Sequence, residues 1–147
     1  MKLLRVGEFG KEKPAALDKN GKIRDLSKHI KDFDHSTLNF STLETLKKVN
    51  LETLPEVTSS TRIGSCIAKP GKFLAVGLNY SDHAAETNAE IPKEPIIFNK
   101  AANCMVGPND NIILPKASKK LDWEIEIAFV IGKNTKYISE KEASDHI

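Results

Sequence analysis

Two pairs of side chains in this 147-residue sequence have the types and spacing for chemistry: Glu124 and Glu126 in DWEIEIAFVIGK, and His83 and Glu86 in VGLNYSDHAAETNAE. The apolar–polar alternation of the first segment predicts a strand, with Trp123, Ile125, Ile127 and Phe129 on one face and the two glutamates on the other. Two carboxylates at i and i+2 of a strand lie roughly 6–7 Å apart along the backbone, close enough to share one cation. A divalent ion would relieve their mutual repulsion, and oxygen donors suit Mg²⁺, Mn²⁺ or Ca²⁺ better than softer metals. A half-exposed strand with no ligand shows the same alternation. His83 and Glu86, three apart, share a face if DHAAETN is helical, where the carboxylate can orient the imidazole for water activation or proton transfer. An exposed, merely solvated pair has the same spacing, and Asp82 suits a helix N-cap or first turn.

Positioning these groups requires a particular order of elements. LLRVGEF and PAALDKNGKIRDL predict strands closed by a turn at Asn20-Gly21, a dipeptide that takes positive φ readily. STLETLKKV predicts a short helix, with Ser41 as N-cap and Glu44 as its capping-box partner. Pro55 and VTSSTR break the periodicity and predict a linker near residues 55–62. FLAVGL, IIF at 96–98, NIIL at 111–114 and the WEIEIAFVIGK segment predict strands, with a turn at Gly107-Pro108-Asn109. SEKEASDHI predicts a helix capped by Ser139 and Glu142, yet the sequence stops after about two turns without a C-cap. With no obvious partner layer for the strands either, the sequence reads as a fragment of a longer protein. The expected class is α+β and β-rich, with a small N-terminal α/β domain and linker over 1–60 and a second, incomplete domain over 61–147.

Composition limits the alternatives. Charged residues make up 29% and hydrophobic ones 39%, as in a globular chain, and the net charge of +2 comes from scattered Lys and Arg rather than a basic run. Few aromatics accompany those cations, so neither nucleic acid nor membrane is an expected partner. The N-terminal MKLLRVGEFGKEKPAAL lacks the apolar core of a secretory signal, and a cytoplasmic location is expected. Cys66 and Cys104 form no CxxC pair and are expected to be free thiols used for packing.

Taken together, the apolar strand, G-L-N-Y-S-D-H-A-A-E, I-I-F-N-K, a G-P turn and D-W-E-I-E-I-A-F-V-I-G-K resemble the fumarylacetoacetate hydrolase family from about residue 70 onward. The preceding segment, including G-K-I-R-D-L-S, is similar to the small N-terminal domain of longer bacterial members. The resemblance implies a catalytic domain folded as a mixed β-sandwich roll, here incomplete. It implies that Glu124 and Glu126 are two of three carboxylates binding Mg²⁺ or Mn²⁺, and that His83 and Glu86 are a dyad on a short helix closing over substrate. It also implies substrate-pocket positions for Lys100, Asn79 and Tyr80, with Asn79 and Tyr80 toward a substrate carboxylate. The family's third metal carboxylate and an active-site Lys fall beyond this sequence, and Asp145 does not take the missing place. The implied activity of the full-length parent is metal-dependent hydrolase or lyase chemistry on a 2-oxo or 1,3-dicarbonyl acid through a metal-stabilised enolate, in a homodimer. Isomerase or decarboxylase chemistry on the same intermediate is the alternative, as is a catalytically inactive binding or assembly module.

Overall fold

The computed structural model describes every residue from Met1 to Ile147. The chain is β-rich with few helical residues, and it divides into two compact units: Met1–Ala68 with Val106–Ile147, and Lys69–Met105. No helix is long and apolar enough to cross a membrane.

The first unit is built on an antiparallel sheet in the order β1 (Lys2–Val6), β2 (Lys13–Leu17), β3 (Ile23–Asp25). Lys2 pairs with Leu17 and Val6 with Lys13, and Leu17 pairs with Ile23 across the predicted turn. That turn is fixed by Asp18, whose buried carboxylate accepts from the backbone N–H of Asn20 (2.8 Å) and Lys22 (2.9 Å) and from Arg24 Nε (2.8 Å). Gly21 takes φ +76°, the conformation for which glycine is favoured there. The sheet is buried on both faces. Leu4, Val6, Ala15 and Ile23 form one cluster, while Ala16 joins Leu26, Ile30, Phe33 and Leu46 in the other. This explains why β2 reads as consecutive apolar residues rather than as an alternation.

Helix α1 spans Phe40–Lys47 and places Leu46 in the core. Its N-cap is Asn39, whose side chain accepts from Thr42 N (3.0 Å), and not Ser41 as the sequence pattern suggests. Ser41 lies inside the first turn, and Glu44 pairs with Lys47 (2.6 Å) instead of closing a capping box. The segment expected as a linker at 55–62 is stitched to the sheet. Asp25 N donates to Pro55 O and Val57 N to Ile23 O, while Gly7 N donates to Arg62 O and Val6 bridges Ile63. Both outer strands thereby satisfy backbone groups that would otherwise stand unpaired.

Two expected strands do not form. Residues 111–114 and 123–133 join no sheet, because a strand exists only through a ladder and no segment of this chain forms one with either. The alternation over Trp123–Phe129 is present in the sequence, but its faces are not fixed by a sheet. Two further expectations are met. Asp110 N donates to Gly107 O, closing the Gly107-Pro108-Asn109 turn, and Ser139 and Glu142 cap a helical segment, which is a 3₁₀ turn over Glu140–His146 rather than an α-helix. Cys66 and Cys104 are free but exposed, so packing is not their role.

The second unit contains β4 (Phe73–Gly77) antiparallel to β5 (Ile96–Lys100), with Phe73 opposite Lys100 and Gly77 opposite Ile96. Between them lies helix α2 (Ser81–Glu86). Both observed sheets are antiparallel, and the expected mixed sandwich is not assembled within this chain.

Candidate functional site

The GLNYSDHAAE motif occupies the turn from β4 into α2. Leu78 adopts φ +49°, a left-handed conformation costly for a side chain with a Cβ, and so reverses the chain direction immediately before Asn79 and Tyr80. Tyr80, extended at φ −119° and ψ 130°, is the N-cap of α2 but makes no side-chain cap bond. Asp82 sits in the first turn and accepts from His83 N (2.9 Å), matching its structural reading. Beyond the helix, Asn88 at φ +53° completes a reversal in which Ala89 N donates to Ala84 O (2.9 Å) and Asn88 N to Ala85 O (3.1 Å). This left-handed closure holds a six-residue helix that propensity alone would not sustain.

His83 and Glu86 therefore lie on one short helix, three residues apart and both exposed. No hydrogen bond or ion pair joins the imidazole to the carboxylate; the His83 carbonyl instead accepts from Thr87 N and Thr87 Oγ1 (3.2 and 2.9 Å). An open cleft of about 500 Å³ lies beside the turn, lined by Asn79 and Ser81 on one side and by Ile91 through Pro95 on the other. His83, Glu86, Tyr80 and Lys100 do not line it. Lys100 ends β5, with Nζ 5.9 Å from the centre of the Phe98 ring.

Glu124 and Glu126 belong to the other unit, and both are exposed. Their carboxylate oxygens suit a hard divalent cation in kind, but no group of three or more His, Cys, Asp or Glu side chains gathers around them or anywhere else in the chain. Two carboxylates alone are fewer than the six or more oxygen donors such a cation takes.

A second cluster gives no local signal in the sequence. Asp32, Arg5, Glu12, Arg62 and Asp110 form a ladder of alternating charge within the first unit. Arg5 grips Asp32 through two bonds (2.7 and 3.0 Å) and reaches Glu12 at 3.4 Å. Arg62 meets Glu12 at 2.8 Å and holds Asp110 through two bonds (2.8 and 2.6 Å), while Gly107 N donates to Asp110 (2.7 Å). Burial opposes ionisation of Glu12, but the hydrogen bond from Arg62 and the two guanidinium charges leave its carboxyl below the ordinary range. The Arg62 bond likewise lowers Asp110, and Asp110 and Glu12 together hold Arg62 more firmly protonated than usual. A Cβ at Gly107 would lie 2.1 Å from Ile63 O, so only glycine lets this loop approach so closely. The ladder is structural: it fastens residues 107–110 to β1 and the following loop.

The sequence pattern of the fumarylacetoacetate (FAA) hydrolase C-terminal family matches residues 72–147, which include the β4–α2 turn, β5 and the Glu124–Glu126 segment. The chain belongs to this family. A Burkholderia ambifaria protein named "Putative hydrolase" is 48% identical over all 147 residues, and a Burkholderia lata protein of similar name is 47% identical. Among solved structures, the fumarylacetoacetate hydrolase of psychrophilic Exiguobacterium antarcticum superposes with a TM-score of 0.72 at 26% identity over 99% of this chain. The chain spans about half the length of these relatives, 52% in each case.

Proposed function

We propose that the full-length protein represented by this chain is a divalent-metal-dependent hydrolase or lyase acting on a 2-oxo or 1,3-dicarbonyl acid. The observation that supports this most is the family match, which takes in the GLNYSDHAAE turn and the DWEIEIA segment together. Glu124 and Glu126 would furnish two carboxylates to Mg²⁺ or Mn²⁺. When bound, such a cation supplies positive charge and Lewis acidity toward the oxo-acid oxygens. The remaining roles fall to the chain's own groups. The His83 imidazole would accept a proton from water or from substrate carbon, and Glu86 one turn away would orient the ring once the site closes. Asn79, on the wall of the cleft, would donate to a substrate carboxylate, with Tyr80 beside it, while Lys100, at the opposite end of the β4–β5 pair, would meet another part of the substrate.

The test is made in a complete chain, built by joining these 147 residues to the part of the Burkholderia ambifaria relative that they do not span. Expected outcomes are loss of metal-dependent turnover in Glu124→Gln or Glu126→Gln, and loss of turnover with metal binding retained in His83→Ala. Undiminished activity in either glutamate variant contradicts the metal assignment.

A further inference from the structure

Lys69–Met105 is carried on two crossings, since the chain leaves the first unit after Ala68 and returns to it at Val106. The outgoing crossing is pinned to the first unit along its length: Gly7 N donates to Arg62 O (2.9 Å), Gly64 N to Arg5 O (2.8 Å), Arg5 Nη1 to Ser65 O (3.3 Å) and Ala68 N to Phe33 O (2.8 Å). The returning crossing is fastened to the outgoing one. Arg62 holds Asp110 through two bonds (2.8 and 2.6 Å), and the same carboxylate accepts from Gly107 N (2.7 Å), so one side chain joins the guanidinium to the turn. A Cβ at Gly107 would collide with the Ile63 carbonyl oxygen and lie 3.1 Å from Gly64 Cα. Gly107 has no positive φ, so what requires glycine is the space between the crossings and not backbone freedom.

Arg62, Gly107 and Asp110 belong to neither hydrophobic cluster of the sheet, and the paired side chains are 27% and 21% exposed. Proteins open in local cooperative units through a few loop positions, and separating this contact unpacks no side chain of either cluster. We propose that Arg62, Gly107 and Asp110 form a hinge clasp at the base of the unit bearing His83 and Glu86: closed, it fixes the two crossings against each other, and open, it releases them while β1–β3 stays folded. Arg62 and Asp110 are then positioning residues for His83, acting through the chain rather than by touching substrate, and this functional part alone rests on the enzymatic reading above. A misplacement of about 1 Å at a reacting group can cost about 100-fold in rate, so a slack base is enough to impair turnover.

Cys66 follows Arg62 on the outgoing side and Cys104 precedes Gly107 on the returning side; they are the only cysteines and both are exposed, so nitroxide labels attach to the 147-residue chain as it stands. The test is the distance distribution between the two labels by pulsed electron paramagnetic resonance, with amide exchange of the β1–β2 ladder followed in the same proteins. Asp110→Asn removes the charge and keeps the shape, whereas Gly107→Ala keeps every charge and forces the crossings apart. Both are expected to turn one narrow distribution into a broader, longer one with β1–β2 exchange unchanged, and Glu44→Gln, which breaks the exposed Lys47 pair, leaves the distribution narrow. A distribution already broad in the wild type, or unaltered in both variants, overturns the inference; so does broadening matched by equally faster β1–β2 exchange, which would make the contact part of global stability. In the complete chain, Asp110→Asn should lower kcat by about 10- to 100-fold with Mn²⁺ affinity unchanged, and an undiminished kcat overturns the positioning role. A complete wild-type chain without turnover counts against the enzymatic reading alone, because the label distances decide the clasp without metal or substrate.

Discussion

At the scale of single residues, the ladder from Asp32 to Asp110 is the feature with the clearest energetic consequence. Arg5 is buried and bonds two carboxylates, so Arg5→Met leaves Asp32 without its guanidinium and Glu12 with Arg62 alone. Removing one partner from a buried ion pair is strongly destabilising, and a loss of about 3 kcal/mol is expected in urea unfolding. Acid should act on the same unit. Hydrogen bonds from Ser36 and Thr37 hold the Asp34 carboxyl down at about 2, and Glu12 and Asp110 also lie below their usual values of 4.5 and 3.8. A carboxyl depressed in the folded state contributes stability above its ordinary pKa and loses it as pH falls through the folded value. Thermal midpoints should therefore be level above the ordinary carboxylate range and decline below it, with the Asp34 contribution persisting to about pH 2; a midpoint that rises on acidification would contradict the assignment. The ladder was not legible in the sequence, because Arg5 and Asp32 are 27 positions apart and Arg62 and Asp110 are 48 apart. The chemical pairs, by contrast, were visible as types and spacings. Their spacing could not tell that His83 and Glu86 would share a helix without bonding to each other.

At the scale of elements, local signals succeeded where local forces decide. The Asn20-Gly21 turn forms because Asp18 and a left-handed glycine close it within five residues, and the Ser139–Glu142 capping box needs only its own four. The helix cap at Asn39 was misassigned to Ser41 because two good capping residues stand close together and only the backbone geometry chooses between them. The apolar run at 111–114 and the alternation over 123–133 were legible, but the strands expected from them do not form, since a ladder depends on a distant partner that periodicity does not reveal. Leu78 makes a separate claim about the site-bearing turn. Left-handed backbone costs a Cβ-bearing residue about 1–2 kcal/mol, and glycine recovers this less about 0.5–1 kcal/mol of chain entropy. Leu78→Gly should thus be nearly neutral or slightly stabilising, and Leu78→Val clearly destabilising, in denaturant unfolding followed by α2 helicity; the reverse order would show that the left-handed turn is not what sets the entry into α2.

At the scale of the whole molecule, the two candidate pairs stand in different units: His83 and Glu86 in Lys69–Met105, and Glu124 and Glu126 in the unit that includes Val106–Ile147. Family membership was legible because the motifs follow one another in a fixed order across residues 72–147, an arrangement far more specific than either pair. No third carboxylate, His or Cys gathers with the two glutamates in this chain, so the proposed metal role can be tested only in a longer polypeptide. The most direct test is calorimetric titration with Mn²⁺ of the complete chain and of its Glu124→Gln variant. Stoichiometric binding, weakened in the variant by about 10-fold or more through loss of a charged donor, is expected. Equal affinity in both proteins would show that these glutamates do not hold the metal, and the central claim would fall with them.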